Sequence, residues 1–213
     1  MKKLDLKSII QTRLDDTQYY LEKSEKKQIV LHHTVSGPIA ENVMQYWNKN
    51  KERVGTAFII DGSGKIHQCF SSAHWAHHLG THFANNTTLN KQSVAIEICN
   101  WGGLQRKGNR YYSTFNKEVP KEEVIDYGIN YRGSRYYHRY KKEQLDSLEL
   151  LLGYLCERYQ IPKTYNSDMW DISPRAIIGA PGIYTHVSYR KDKSDCHPQL
   201  ELIKILKTLY QKE

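Results

Sequence analysis

The chain has 213 residues, of which 39% are hydrophobic and 25% are charged, and its mean hydropathy is −0.71. At about 150 residues per domain this length predicts one domain, and no apolar run approaches the roughly 18 residues of a membrane helix, which excludes a membrane-spanning segment. The net charge of +8 suits an acidic partner. Neither zinc-finger spacing nor an aromatic-basic ribonucleoprotein signature occurs, so we expect no nucleic-acid partner.

The N-terminus begins with lysines but lacks the apolar core of a signal peptide, which is interrupted by Asp5, Lys7, Asp15 and Asp16. We therefore expect a protein that is cytoplasmic as synthesised, with reduced thiols at its four irregularly spaced cysteines. Residues 1–26 are predicted to form an N-terminal extension, helical or partly ordered over residues 1–24. Residues 27–213 are predicted to form the folded domain.

The first half of this domain alternates strand and helix patterns. Residues 28–34 (QIVLHHT) are β-branched and apolar before a polar end, which predicts a buried strand that enters a loop. Residues 40–50 carry apolar side chains at helical spacing. Residues 56–61 and 65–70 flank a Gly-Ser-Gly turn, which predicts a hairpin. Residues 93–98 (SVAIEI) predict another strand.

The second half begins with residues 101–140, which are rich in Gly and Tyr and are expected to form a long, irregular surface excursion with short elements. Residues 140–159 carry Leu at intervals of three and four before Pro162, which is typical of a helix. A closing amphipathic helix is predicted over residues 200–209. Because strands interleave with helices, the predicted fold class is α/β, with a central mixed sheet flanked by helices.

Two regions concentrate potential metal ligands. His32 and His33 end a predicted strand, and because side chains alternate between its faces, only one of them can point into a given site. Far along the chain, His186 precedes a polar run that contains Asp195, Cys196 and His197. Two nitrogen ligands and one oxygen or sulfur ligand, with a fourth position open, are typical of catalytic zinc.

Five blocks of sequence extend this pattern: IVLHHT (29–34), VGTAFIIDGSGKI (54–66), AHHLG (76–80), NKQSVAIEICNWG (90–102) and THVSYRKDKSDCHP (185–198). In this order they resemble the zinc-dependent N-acetylmuramoyl-L-alanine amidases, a family that includes phage endolysins, wall-recycling enzymes and peptidoglycan recognition proteins. Five blocks in order are far more specific than any one of them. The resemblance implies that family's fold, Zn²⁺ as cofactor, and peptidoglycan or a soluble muropeptide as substrate.

The resemblance also implies three zinc ligands. The His-His-Thr block supplies His32, and the last block supplies His186. The family places a lysine two residues before the third ligand, which is Asp in some members and Cys in others. Lys193-Ser194-Asp195 matches that spacing, so Asp195 is the expected third ligand. Cys196 stays an alternative because a thiolate also binds zinc, whereas His197 is expected to be solvated or packed.

Two further residues match the family's catalytic groups. Glu97 resembles the general base that takes a proton from water and returns one to the leaving amine. The alternative is a strand-end carboxylate that faces solvent, which the apolar neighbours in SVAIEI disfavour. Lys193 resembles the lysine that stabilises the oxyanion, with an ordinary solvated lysine, or a shift of register to Lys191, as the alternatives.

Three residues are assigned to substrate binding by the same resemblance. His78 matches the histidine that lines the substrate groove. Asn90 begins the Asn-x-x-Ser lead-in, where a structural bond to a loop is favoured over a contact with substrate. Thr56 stands where some members carry a catalytic tyrosine, and because threonine has no phenol, its presence transfers the proton-transfer role to Glu97.

Two biological settings fit the resemblance. A phage endolysin needs no signal peptide because a holin releases it to the wall, and a basic chain suits an anionic wall. A recycling amidase would act on soluble muropeptides in the cytoplasm. We favour wall lysis. A receptor that binds peptidoglycan without cutting it is disfavoured because every ligand position holds a competent residue.

Three further points complete the sequence-based expectations. No separate wall-binding domain is visible. The tyrosines of residues 101–140 either add a sugar-stacking surface or pack within the domain. A monomer without membrane insertion is the default.

Overall fold

The computed structural model describes residues 3–209, so the first two residues of the predicted extension and the last four of the predicted domain lie outside it. In chain order its strands and helices are β1 (Ile10–Gln11), β2 (Gln28–His33), α1 (Ala40–Lys49), β3 (Phe58–Ile60), β4 (Ile66–Gln68), α2 (Asn86–Lys91), β5 (Ser93–Ile98), β6 (Gly103–Lys107), β7 (Arg110–Tyr112), β8 (Glu118–Val119), β9 (Val124–Tyr131), β10 (Ser134–His138), α3 (Lys142–Tyr159), α4 (Pro174–Ile177), β11 (Gly182–Thr185) and α5 (Leu200–Thr208).

A six-stranded mixed sheet in the order β1-β4-β3-β5-β2-β11 forms the centre of the molecule. Strands β3, β5, β2 and β11 are parallel, and β4 returns antiparallel to β3 as the predicted hairpin. All six residues of β2 are buried, as expected for a parallel strand covered on both faces. The predicted α/β class, with a central mixed sheet flanked by helices, is confirmed.

The register between β2 and β5 decides which side chains meet at the sheet's carboxyl edge. His32 lies opposite Glu97, and His33 lies opposite Ile98. Because adjacent strands share the same alternation, His32 and Glu97 project to one face while His33 projects to the other. Two residues that are far apart in sequence are therefore neighbours by backbone geometry alone.

The helices bury one apolar face each against this sheet. Helix α3 contacts α5. It buries five leucines at the predicted spacing, Leu145, Leu148, Leu151, Leu152 and Leu155. Helix α1 buries Val43, Met44 and Trp47 in the same core. Within residues 3–209 no helix is long and apolar enough to cross a membrane.

Residues 101–140 differ from the expected irregular excursion, because they fold into a second, five-stranded antiparallel sheet in the order β8-β7-β6-β10-β9. Gly108 and Gly133 adopt left-handed φ angles of 62° and 93° between successive strands. The expected short elements are present, but they pair into a regular sheet, because glycines at tight hairpin turns reverse the chain without interrupting strand pairing.

The N-terminal segment, expected to be helical or partly ordered, forms no α-helix over residues 3–24. It contains two single 3-10 turns, Leu6–Ser8 and Asp16–Gln18, and the short strand β1, which pairs in parallel with β4. Pairing with an edge strand satisfies backbone groups that a short, charge-interrupted helix would leave open. Ile9 and Leu14 join the same core cluster as the sheet, so the segment is packed onto the domain.

Replacing Leu14 by Ala tests this packing. Leu14 is only 1% exposed, and its loss should lower the free energy of unfolding by about 3 kcal/mol, measured by denaturant titration. Leu21→Ala is the matched control, since Leu21 lies in the same segment but is 64% exposed and should change stability by less than about 0.5 kcal/mol. Equal, small effects of both would show that the segment adds nothing to the core.

Candidate active site

A cavity of about 400 Å³ opens at the carboxyl ends of the parallel strands, the edge at which ligands bind in open α/β sheets. Seven of the eight side chains selected from the sequence line it: His32, Thr56, His78, Glu97, His186, Lys193 and Asp195. The eighth, Asn90, is fully buried outside it. Residues from five separate segments therefore meet at one place.

Three of these residues form a compact donor cluster. The Nδ1 atoms of His32 and His186 are 3.1 Å apart, and Asp195 Oδ2 lies 3.1 Å and 2.9 Å from them. His32 is near the end of β2, and His186 begins a single 3-10 turn directly after β11, the parallel neighbour of β2. Each residue is buried and offers one ligand atom to a shared point.

A chain of hydrogen bonds fixes which nitrogen of His32 faces this point. Ser93 Oγ lies 2.7 Å from Leu89 O, which only accepts, so we assign the hydroxyl proton to that bond. Ser93 then accepts from His78 Nε2 at 2.8 Å, and His78 Nδ1 accepts from His32 Nε2 at 3.1 Å. His32 Nδ1 is left with a lone pair directed at the cluster.

A carbonyl fixes His186 in the same way. His186 Nε2 donates to Leu79 O at 2.9 Å, so in the neutral ring Nδ1 presents a lone pair. Burial, and to a lesser extent the neighbouring His186, lowers the pKa of His32 to about 4, which keeps this imidazole neutral near pH 7.

With both rings neutral, the cluster consists of two imidazole nitrogens and one carboxylate whose lone pairs converge. Without a cation between them these acceptors repel one another, and with one they become its ligands. Nitrogen and oxygen donors in this number suit a divalent transition metal such as zinc, with a coordination position open toward the cavity.

Glu97 lies beside this cluster, opposite His32 in the sheet. Burial, together with the charge of Asp195, raises the pKa of Glu97 well above its ordinary value, and Lys193 opposes that shift. Its Oε2 atom is buried and has no hydrogen-bond partner among residues 3–209. A half-buried carboxylate with one unpaired oxygen at a cavity wall is placed to exchange a proton with a bound molecule.

The three residues expected to bind substrate have different surroundings. His78 lines the cavity, but both of its ring nitrogens are engaged, by His32 and Ser93. Asn90 does not reach the cavity, because its Oδ1 accepts from the backbone N–H groups of His78 and Leu79 and so holds their loop. The Thr56 hydroxyl donates to Phe58 O at 2.9 Å. Asn90 is thus a structural residue.

The alternatives at the third ligand position point away from the cluster. Cys196 is fully buried and belongs to the hydrophobic core. His197 stacks on Tyr140 with ring centroids 4.3 Å apart, accepts from Tyr127 Oη at 2.7 Å and donates to His138 O. The structure therefore brings Asp195 to the two histidines and leaves Cys196 and His197 as packing residues.

The second sheet supports the loop that carries Asp195. Tyr127 bonds His197 directly, Tyr137 is fully buried against the same ring, and Tyr131 donates to Trp170 O. Tyr111 and Tyr136 instead pair with each other, and both are half-buried. Three of the tyrosines that the sequence singled out thus pack behind the site.

Arg190 is a cavity residue that the sequence analysis missed as an individual. Its guanidinium makes two bonds to Asp192 and one to Gly80 O at 2.9 Å. It thereby ties the Asp195 loop to the loop of His78 and Leu79. Its place in the basic cluster at residues 190–193 was the only signal available, and charge alone does not reveal this tie.

Comparisons with known proteins confirm the family resemblance that the sequence blocks indicate. The model of the N-acetylmuramoyl-L-alanine amidase family matches residues 22–198. No curated protein sequence matches the chain significantly.

Solved structures share the fold at low sequence identity. PlyL aligns with a TM-score of 0.57 at 17% identity, covering 93% of this chain and 96% of its own. The PlyG catalytic domain aligns with a TM-score of 0.56 at 18% identity, covering 95% of this chain and 93% of its own. An AmpD derivative aligns with a TM-score of 0.53 at 16% identity, covering 98% of this chain and 100% of its own. These likenesses extend over nearly the whole length of each chain.

Replacing Ser93 by Ala tests the hydrogen-bond chain. The change removes the acceptor of the His78 proton and frees the tautomer of His32, so zinc affinity should fall about tenfold in a chelator competition. Ser63→Ala is the control, because Ser63 is an exposed turn residue bonded to Asp61. Wild-type affinity in the Ser93 variant would show that the outer bonds do not orient His32.

Proposed function

This chain belongs to the N-acetylmuramoyl-L-alanine amidase family, and from that premise we propose that it is a zinc-dependent hydrolase. The bond it would cleave is the amide between N-acetylmuramic acid and L-alanine of peptidoglycan. The observation that carries the proposal is the convergence of His32, His186 and Asp195 beside Glu97 on one cavity. A metal donor set next to an unpaired carboxylate is the arrangement that metal-assisted hydrolysis requires.

The proposed zinc ligands are His32 Nδ1, His186 Nδ1 and an oxygen of Asp195. When bound, zinc would act as a Lewis acid on the scissile carbonyl and make water acidic enough to attack near neutral pH. The chain's own part is to hold the three donors. Their outer hydrogen bonds to His78 and to Leu79 O keep both rings in the orientation that binding needs.

Glu97 is the proposed general base. Its position next to His32 in the register brings its unpaired oxygen to the cavity wall. There it would accept a proton from the attacking water and later deliver one to the leaving amine of L-alanine. Thr56 cannot share this role, because its hydroxyl proton is committed to Phe58 O.

Lys193 is proposed to stabilise the developing negative charge on the scissile carbonyl oxygen. It lies on the same loop as Asp195 and lines the cavity, and it is close enough to influence the charge of Glu97. A fixed cation in a site shielded from water lowers the energy of an anionic transition state.

We favour wall lysis of the endolysin type as the biological setting. The net charge of +8 supports it, since a basic protein is drawn to an anionic wall. The protein would be cytoplasmic as synthesised and would reach the wall after holin-type release. Recycling of soluble muropeptides is the competing setting, and substrate size separates the two.

Glu97→Gln should separate metal binding from catalysis. The amide keeps the size of the side chain but cannot accept the proton, so turnover should fall by about 10²–10⁴-fold while the zinc content stays at wild-type level. His32→Ala is the contrast, because it should lose zinc and activity together. Zinc loss in the Glu97 variant would refute its assignment as the base.

The reaction itself is tested on purified peptidoglycan sacculi. New peptide amino termini with intact glycan strands, together with bound zinc, would establish the amidase and favour lysis. Cleavage restricted to small soluble muropeptides would indicate recycling. A zinc-free, inactive protein that still binds wall fragments would replace the proposal with a peptidoglycan receptor.

A further inference from the structure

One wall of the cavity is backed by a column of aromatic and basic side chains. The Tyr20 and Trp75 rings stack 3.9 Å apart with only 9° between their planes. The Arg53 guanidinium lies 4.3 Å from the Tyr20 centroid, and Lys91 Nζ lies 5.3 Å from that of Trp75. Each cation faces an aromatic ring, which fixes the order Arg53, Tyr20, Trp75, Lys91.

The two cations of this column differ in their anionic partners. Lys91 Nζ lies 2.9 Å from a Glu22 carboxylate oxygen. The Arg53 guanidinium has no hydrogen bond and no ion pair among residues 3–209. Its flat face is held by the tyrosine ring while the N–H donors along its edge stay free.

The backbone places Arg53 directly against a cavity residue. Arg53 has a left-handed φ of 53°, a conformation that is unfavourable for a residue with a Cβ atom and persists only where its surroundings hold it. Its carbonyl accepts from His77 N at 2.8 Å, and Gly55 N donates to His77 O at 3.1 Å. The next residues, Val54 and Gly55, line the cavity together with His77.

His77 connects the column to the cavity. Its ring stands edge-on to Tyr20 and Trp75, with interplanar angles of 89° to each, and its Nε2 lies 3.4 Å from Tyr20 Oη. Its Nδ1 has no partner among the described residues. Burial, together with the charge of Arg53, lowers the pKa of His77, so the guanidinium is the cation of this wall and the imidazole a neutral neighbour.

We propose that Arg53, positioned by Tyr20 and accompanied by His77, binds a free carboxylate of the peptide attached to the scissile amide. This inference rests on the proposed function and names the substrate class. The lactyl carboxyl group of N-acetylmuramic acid is consumed in the scissile amide, so a carboxylate near that bond belongs to the peptide. The guanidinium edge presents two parallel N–H donors, which match the two oxygens of a carboxylate.

The other cations at the cavity are already engaged. Arg190 is bonded to Asp192 and Gly80 O, and Lys193 is assigned to the carbonyl oxygen of the reacting bond. Arg53 adjoins the lining residues Val54 and His77, and its guanidinium has neither a protein partner in residues 3–209 nor a proposed part in the reaction.

Two soluble N-acetylmuramoyl-peptides that differ only in free or amidated carboxylates test this directly. The zinc-loaded wild type should cleave the free-acid substrate with a kcat/KM about tenfold higher than the amidated one, through KM, as expected for one charge-assisted contact near solvent. Arg53→Gln should lose this preference. Its kcat/KM should be about tenfold below that of the wild type on the free-acid substrate and within about twofold of the wild type on the amidated one.

Matched variants separate the contact from general effects. Lys51→Gln removes an equal charge from an exposed side chain two positions earlier and should keep the wild-type preference. Arg53→Lys keeps the positive charge but not the two parallel N–H donors of the guanidinium, and it should keep part of the preference for the free-acid substrate. Thermal unfolding of each variant confirms that the fold is intact.

The outcomes distinguish this inference from the proposed function. If the wild type cleaves both substrates equally well, or Arg53→Gln slows both by the same factor, the carboxylate contact is refuted while the amidase activity stands. If the wild type cleaves sacculi but neither soluble substrate, the same comparison is made on sacculi with free or amidated peptides, and equal cleavage refutes the contact. If it cleaves neither the soluble substrates nor sacculi, the proposed function is refuted and this inference falls with it.

Discussion

The structure depends on three lone pairs that face one another across about 3 Å, on His32, His186 and Asp195. With both rings neutral, such an arrangement is electrostatically costly unless a cation lies among them, because each group is buried and none then has a proton to offer the others. The two imidazoles have already committed their N–H groups, one to His78 and the other to Leu79 O. The surrounding protein is thus built to keep acceptors together that would otherwise separate.

Each of the three groups is held by a different level of structure. Parallel pairing of β2 with β5 and β11 fixes where His32 and His186 stand and brings Glu97 beside them. The loop of Asp195 has no regular structure of its own, and the second sheet and the Tyr140–His197 stack hold it from behind. The sheet that seemed peripheral in sequence is therefore part of the machinery that shapes the site.

The sequence predicted what local patterns encode. Strand β2, helix α3 and the β3–β4 hairpin follow from hydrophobic spacing and a glycine turn, and the donor residues follow from the spacing of family blocks. It favoured Asp195 over the adjacent Cys196 only through the family spacing, because both residue types bind zinc and packing sets which of the two side chains turns toward the histidines. It also missed the Arg53–Tyr20–His77 arrangement, whose members are brought together by stacking and by one left-handed residue rather than by any periodic pattern.

The distance along the chain between the ligands has a consequence for folding. His32 is 154 residues from His186 and 163 from Asp195, so only a fragment that spans residues 32–195 contains the full donor set. A cation that binds these three groups binds only the completed fold, and mass action then adds its binding energy to the stability of the whole domain. Loss of the bound ion would then coincide with global unfolding in one cooperative transition. Removal of the ion would lower the free energy of unfolding of the whole domain rather than of one segment.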